Sequence, residues 1–439
     1  MQNGDLCAWV VTADMGLGHQ RATDPFRCIA EDGLLVAGSA QTSDAKEKRL
    51  WDRTRNTYEF FSRIREFPII GKPLFGLLDE LQRISPFYPR RDLSRPTYQV
   101  KFASSLISRG LGRKLIAKMR QKPLPMLTSF MVPALAADKA GYTPLYCIIC
   151  DAEVSRAWVP EDPAASQINY LVPCGRAMMR LKSYGVPDEH IFLTGFPMPL
   201  EVLGDRTLDV LRADMAQRLL HLDPNDRFWP LHGLNVAHFL GEENCCPKTE
   251  RTLTITYAVG GAGAQRDTGR QIAKSLREPI EAGEIALNLV AGVRAEVNNY
   301  FEKIKNELLP GSPNLRILYH PDKAGYFRLF AQTIRNTDIL WTKPSELSFY
   351  CGLGLPVIMA PSIGAQERYN RKWLLEIQAG IPQEDPRYTD QWLLDLWNEG
   401  RLAEAAWDGF LKARKYGTYK IFDLLETGTM QRDPSPLKR

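Results

Sequence analysis

Short apolar runs recur along the chain, and polar, helix-patterned stretches separate them. In the first half they fall at Ala8 to Val11, Gly33 to Val36, Pro125 to Thr128, Leu145 to Cys150, Ile168 to Val172 and Ile191 to Thr194. Continuous apolar runs of this length, rather than alternating ones, are expected of strands buried on both faces, and intervening helices make those strands parallel with right-handed crossovers. The breakers in GFPMP, Gly195 to Pro199, mark an interdomain linker. Beyond it LDVLRADMAQRLL reads as an amphipathic helix, and Asp223 to Glu250 follows no pattern. The alternation then restarts with TLTITYAV, IALNLVAG, LRILYH, TDILWT and PVIMAP, each followed by a helical pattern. Tyr388 to Leu425 is helical in period, and TGTMQRDPSPLKR reads as an unstructured tail.

The prediction is an α/β chain of two doubly wound, Rossmann-like domains with a helical C-terminal segment. The N-terminal domain is expected over 1–199, interrupted by an insertion at about 41–122, the second over 200–425, and a flexible tail over 426–439. A length of 439 residues agrees, since a single core rarely extends that far. With 44% hydrophobic and 24% charged residues, the composition excludes a disordered chain. Neither a signal peptide nor a run of about 20 apolar residues is evident, so a cytoplasmic location is expected.

Charge changes the picture in one place. Asp44 to Lys122 holds nineteen Lys and Arg against eight Asp and Glu, a balance of +11 in a chain whose total is +5. Part of it, REFPIIGKPLFGLLDELQRISPFYPRR, mixes apolar side chains with the cations. Such a patch suits phosphate backbones, anionic membrane surfaces or plain solvation. No nucleic-acid-binding motif accompanies it, so no nucleic acid is expected as a partner. Cys147 and Cys150 have C-x-x-C spacing, but within a strand they point to opposite faces. No metal site and no cofactor are expected.

Candidate chemistry lies in loops that leave strands, where open α/β sheets bind ligands. CAWVV exits through TADMGLGHQRA, placing Gly16 and Gly18 ahead of His19 at a helix start. TLTITYAV exits through GGAGAQRDTG, Gly260 to Gly269; such glycines let backbone approach a phosphate closely. TDILWT exits through KPSE, where Lys343 adds a charge and Ser345 a hydroxyl at a helix start. PVIMAP exits through SIGAQERYNRKW, whose Gln366, Glu367 and Asn370 suit sugar hydroxyls.

Taken in order, TKPSE, GLPVIMAPSIGAQERYN, DMGLGH, CIICDAEVSRAWVP and PCGRAMMRLKSYGVPDEHIFLTGFPMP resemble the inverting GT-B glycosyltransferases. The types in question are the monogalactosyldiacylglycerol synthases, the bacterial diacylglycerol glucosyltransferases and the peptidoglycan N-acetylglucosaminyltransferase. The resemblance spans most of the chain apart from the basic insertion, Asp223 to Glu250 and the tail. It implies two domains facing across a cleft, with the acceptor bound by the first and a nucleoside diphosphate sugar, a UDP-sugar above all, by the second.

It further implies His19 as general base or a group near the reacting centre, with Asp151 as the other candidate base, and Gly16 and Gly18 shaping the acceptor-side loop. Gly260, Gly261, Gly263 and Arg294 would approach the donor diphosphate, Ser345 would cap a phosphate with Lys343 nearby, and Gln366 with Glu367 would face the sugar. The family places a small residue where Glu346 stands and a ribose-binding Glu where this chain has Phe349, so Glu346 is a candidate for the ribose contact from a shifted position. The implied partners are the donor and a lipid or small-molecule acceptor, with an anionic membrane surface at the cytoplasmic side as the place of work. A UDP-sugar 2-epimerase-like enzyme, recruiting Asp151, Glu153 or Glu367, and a non-catalytic nucleotide-sugar-binding protein are the alternatives.

Overall fold

A computed structural model describes residues 6–52, 84–246, 252–258, 265–362 and 364–430. The chain divides into two compact units. Unit 1 comprises Met1–Pro197, Gly364–Tyr369 and Tyr416–Arg432, and unit 2 comprises Met198–Ile363, Asn370–Lys415 and Asp433–Arg439.

Unit 1 is built on six parallel strands, β1 (Trp9–Ala13), β2 (Leu35–Ala37), β3 (Met126–Thr128), β4 (Leu145–Ile148), β5 (Ile168–Leu171) and β6 (Ile191–Phe192), in spatial order β2-β1-β3-β4-β5-β6. Every residue of β1 is buried, in keeping with a run that is apolar except for Thr12. Register is set by Val11, which faces Leu35 on one side and Thr128 on the other. The sheet reverses its direction of growth between β1 and β3, so the loops leaving those two strands border its topological switch point.

A helix from the far end of the chain completes this unit. In Gly417–Thr427, Phe422 meets Phe26 edge to face at 5.2 Å, and the Tyr146 hydroxyl donates to the Leu424 carbonyl at 3.2 Å. Close approach at its start requires a residue without a side chain, because a Cβ on Gly417 would lie 2.5 Å from the Phe196 carbonyl oxygen. Backbone cannot yield there as a side chain would. Gly417→Ala is therefore expected to cost about 1–3 kcal/mol, read as a lower urea midpoint at unchanged slope; an unaltered midpoint would show that the contact relaxes freely.

Unit 2 repeats the plan with β7 (Leu253–Ala258), β8 (Ile285–Gly292), β9 (Leu315–Tyr319), β10 (Ile339–Thr342), β11 (Val357–Met359) and β12 (Gly380–Pro382), in order β12-β11-β10-β7-β8-β9. Numbered within the unit this is the Rossmann order 3-2-1-4-5-6, with its switch point between β7 and β10. β12 adds a sixth strand to the five predicted. Its three residues, Gly-Ile-Pro, carry too little pattern to announce a strand and extend the sheet only at its edge.

Asp223 to Glu250, which followed no pattern, contains the helix Trp229–Leu240. The Asp223 carboxylate accepts from the backbone N–H groups of Arg227, Phe228 and Trp229 at 2.8, 2.9 and 2.9 Å, anchoring the turn that leads into that helix. Two doubly wound Rossmann-like units with a helical C-terminal segment constitute the α/β class implied by the GT-B resemblance. Among the described residues no helix is long and apolar enough to cross a membrane.

Candidate active site

In unit 1 the chain leaves β1 through Gly16, whose φ of +104° suits glycine, and enters the helix Leu17–Thr23. Gly18 and His19 lie in its first turn. The His19 ring reaches across the switch point to the loop after β3, where Nδ1 lies 2.7 Å from the Ser129 carbonyl oxygen. A carbonyl can only accept, so Nδ1 carries the proton and Nε2 the lone pair of the neutral ring. The Ser129 hydroxyl returns a bond of 2.7 Å to the His19 carbonyl, and the Thr12 hydroxyl, 3.3 Å away, donates to the Ser129 oxygen. These reciprocal bonds fix the two loops together.

Two aromatic rings wall the imidazole, Phe130 edge-on at 5.1 Å between centroids and Trp158 tilted at 6.0 Å. His19 itself is half-buried. Ser129, Phe130 and Trp158 carry no sequence signal of their own, and only their packing around His19 singles them out. Asp151 is half-buried three residues beyond β4, the strand next to β3, and its neighbour Cys150 places Sγ 4.0 Å from the same Ser129 carbonyl.

Glu153 occupies a different setting from the other candidate carboxylates. Its side chain is fully buried and takes Arg180 in a bidentate grip, Nε to Oε1 at 2.7 Å and Nη2 to Oε2 at 3.1 Å. Arg176 Nε adds a bond to Oε2 at 3.1 Å. Phe87 lies beneath both guanidinium groups, and Tyr369 lies under Arg176 at 5.2 Å. A carboxylate committed on both oxygens is not available to exchange protons with a substrate.

In unit 2, Thr342 ends β10 beside Ala258 at the end of β7, and its hydroxyl donates to the Ala258 carbonyl at 3.1 Å. The KPSE turn and the exit toward the glycine loop therefore share one switch point. Gly260, Gly261 and Gly263 lie outside the described residues. On the far side of that loop, Gln265 Nε2 donates to the Pro361 carbonyl at 3.0 Å, tying the next helix to the exit of β11.

After Lys343 and buried Pro344, Ser345 caps a 3₁₀ helix, Glu346–Leu353, without a side-chain capping bond. Lys343, Ser345 and Glu346 are half-buried. Asn370 does not join a row of sugar contacts; it is fully buried and donates to the Pro344 carbonyl at 3.2 Å, holding the turn. Phe349 is core, its ring tilted at 49° and 4.9 Å from that of Trp373, and so offers nothing to a ribose. The hydroxyls of Ser348, in the first turn of the 3₁₀ helix, and Ser362, after β11, are buried without a hydrogen-bond partner among the described residues. Buried hydroxyls in that condition are costly unless something polar meets them.

The remaining predicted residues spread out. Arg294 leads into the helix Ala295–Leu308 after β8, exposed and paired with Glu296 at 3.1 Å. Gln366 and Glu367 begin the helix Ala365–Glu376 and group with unit 1, and the Glu367 carboxylate accepts from the Gly364 N–H at 3.4 Å. All eight cysteines are free. Burial pushes the Cys147 thiol far up and Cys174 up to about 11, which leaves both unreactive near neutral pH. Among the described residues no group of three or more His, Cys, Asp or Glu side chains is placed to hold a metal ion.

No protein-family model matches the chain, and no curated protein does either. Solved structures similar in fold include glycosyltransferases and UDP-GlcNAc 2-epimerases. MurG of Acinetobacter baumannii aligns with a TM-score of 0.47 at 14% identity, covering 95% of this chain and 98% of that one. The UDP-GlcNAc 2-epimerase of Neisseria meningitidis bound to UDP-GlcNAc gives 0.44 at 12% identity over 91% of this chain and 97% of its own. The glycosyltransferase SsfS6 of Streptomyces sp. SF2575 gives 0.41 at 12% identity over 96% of this chain and 100% of its own. At these identities and scores the likeness is one of fold, and reading the site rests on its own geometry.

Proposed function

We propose that this protein is an inverting glycosyltransferase that moves a sugar from a nucleoside diphosphate sugar, a UDP-sugar above all, to a hydroxyl of a lipid or small-molecule acceptor at the inner face of the membrane. The observation that carries the reading is the 2.7 Å bond from His19 Nδ1 to the Ser129 carbonyl, which leaves the basic lone pair on Nε2 of a ring set at a switch point. In the proposed step the acceptor oxygen bonds to the anomeric carbon while its proton passes to Nε2. The bond from that carbon to the diphosphate breaks, and its electron pair departs with the diphosphate. A single displacement of this kind inverts the centre.

Unit 2 would hold the donor. The turn at Lys343 to Ser348 opens where phosphates bind in Rossmann order sheets, and Ser348 and Ser362 bring hydroxyls lacking partners among the described residues. Lys343 adds a positive charge for the leaving group. Glu346 is the candidate for the ribose, since Phe349 is committed to the core.

The test is a thermal-shift screen of nucleotides and nucleotide sugars. A donor present at about a hundred times its Kd is expected to stabilise the native state by ~2.7 kcal/mol, and UDP or a UDP-sugar should give the largest rise. If no nucleoside diphosphate or its sugar moves the melting temperature, the donor assignment fails. Incubating the stabilising sugar nucleotide alone then separates transfer from epimerisation, for an epimer formed without acceptor would replace this reading by the rival one.

A further inference from the structure

The segment Asp223 to Glu250, which lies outside the GT-B resemblance, leaves one helix face of unit 2 uncovered. The helix Trp229–Leu240 buries Val236 and Leu240, and Phe239 meets Trp407 edge to face at 6.0 Å. Its opposite face carries Leu231, Leu234, Asn235 and His238, all exposed, the two leucines at 72% and 91%. Spacings of three and four residues set these side chains on one stripe. Between Arg227 and Glu242 the sequence has no Asp, Glu, Lys or Arg, so the outer face lacks the charges that solvate an ordinary surface helix. The charges at its two ends oppose the helix dipole. Exposed Arg227 precedes the N-cap, Phe228, and exposed Glu242 follows the C-cap, Gly241, whereas a dipole favours an anion at the N-terminus and a cation at the C-terminus. Among the described residues neither Arg227 nor Glu242 has an ion pair within the chain. Asp226, the other exposed charge at the N-terminal end, already stands where the dipole favours an anion.

We infer that this face pairs with the same face of a second copy of the chain, the two helices antiparallel about a two-fold axis passing between Leu234 and Asn235. Arg227 and Glu242 are equally distant in sequence from that point, as are Leu231 and His238. Each Arg227 then meets Glu242 of the partner subunit at the end of a reversed dipole, so charges that oppose their own helix suit the other one. The leucines leave water together at the centre, where neither copy brings a charge to be desolvated. Pairing of like with like about a two-fold closes on itself and builds no larger array. The helix is about 18 Å long, too short to cover the ~800 Å² per partner of a standard interface, so the dimer is weak, half-formed at tens of micromolar as an order of magnitude. The inference uses neither donor nor acceptor and stands apart from the proposed reaction.

The experiment is analytical ultracentrifugation of the full chain over about 5 to 200 µM, where the weight-average mass should climb from monomer toward dimer. Leu234→Glu, which sets two carboxylates at the axis, should raise the dissociation constant by more than about tenfold, with an unchanged unfolding midpoint because the side chain is exposed. Arg227→Glu and Glu242→Arg should each weaken association about fivefold, and the chain carrying both should regain the parent's constant, which unspecific apolar adhesion would not produce. Should Leu234→Glu misfold, the charge exchange alone decides. The inference is overturned by a chain that stays monomeric throughout, which would leave the face to a different protein, by association that Leu234→Glu leaves intact, or by a double charge variant no better than the single ones.

Discussion

Replacing His19 by asparagine is expected to reduce sugar transfer by roughly two to four orders of magnitude, the usual contribution of a positioned general base, while leaving the unfolding midpoint near that of the parent. Asparagine retains a short amide donor for the Ser129 carbonyl, which His19 Nδ1 now reaches at 2.7 Å, but brings no basic nitrogen where Nε2 stood. His19→Ala, which removes donor and base together, should lose the same activity and some stability. Rates within about threefold of the parent would move the base elsewhere, and Asp151 would be examined next.

The second large effect concerns stability rather than turnover. Glu153→Ala is expected to cost about 3–5 kcal/mol, the usual consequence of removing one partner of a buried ion pair. Arg180 is 1% exposed and Arg176 13%, so without the carboxylate two guanidinium groups remain in a site that water barely reaches. Phe87 and Tyr184 near Arg180 give weaker cation–π attraction and do not replace a bidentate bond. Arg176→Ala should cost less, because its side chain is nearer solvent and the Arg180 pair survives. Urea unfolding of both variants measures this; a Glu153→Ala loss below about 1 kcal/mol would mean that the pair is effectively solvated. It would also reopen Glu153 as a proton-transfer group and with it the epimerase reading.

Those two residues show where sequence and structure part. His19 was visible because a histidine after Gly-x-Gly at a strand exit is a local pattern. Glu153, a proton-transfer candidate only in the epimerase alternative, gave no local sign that Arg176 and Arg180, on the helix Gly175–Ser183, occupy it. Asn370 met the same fate on the Pro344 carbonyl. Side chains able to bind sugar hydroxyls bind backbone equally well, and sequence does not distinguish the two.

By itself the sequence determined the eleven predicted strands and the loops that leave them, because strands covered on both faces must be continuously apolar and such runs are local. Tertiary structure decided what depends on distant partners. The tautomer of His19 comes from a carbonyl 110 residues away, the return of Gly417–Thr427 to unit 1 from Phe26 and Tyr146, and the removal of Phe349 from any ribose from Trp373. Even β12, three residues long, exists as a strand because β11 offers it an edge. Burial and hydrogen bonding are settled between segments, whereas periodicity is written within one.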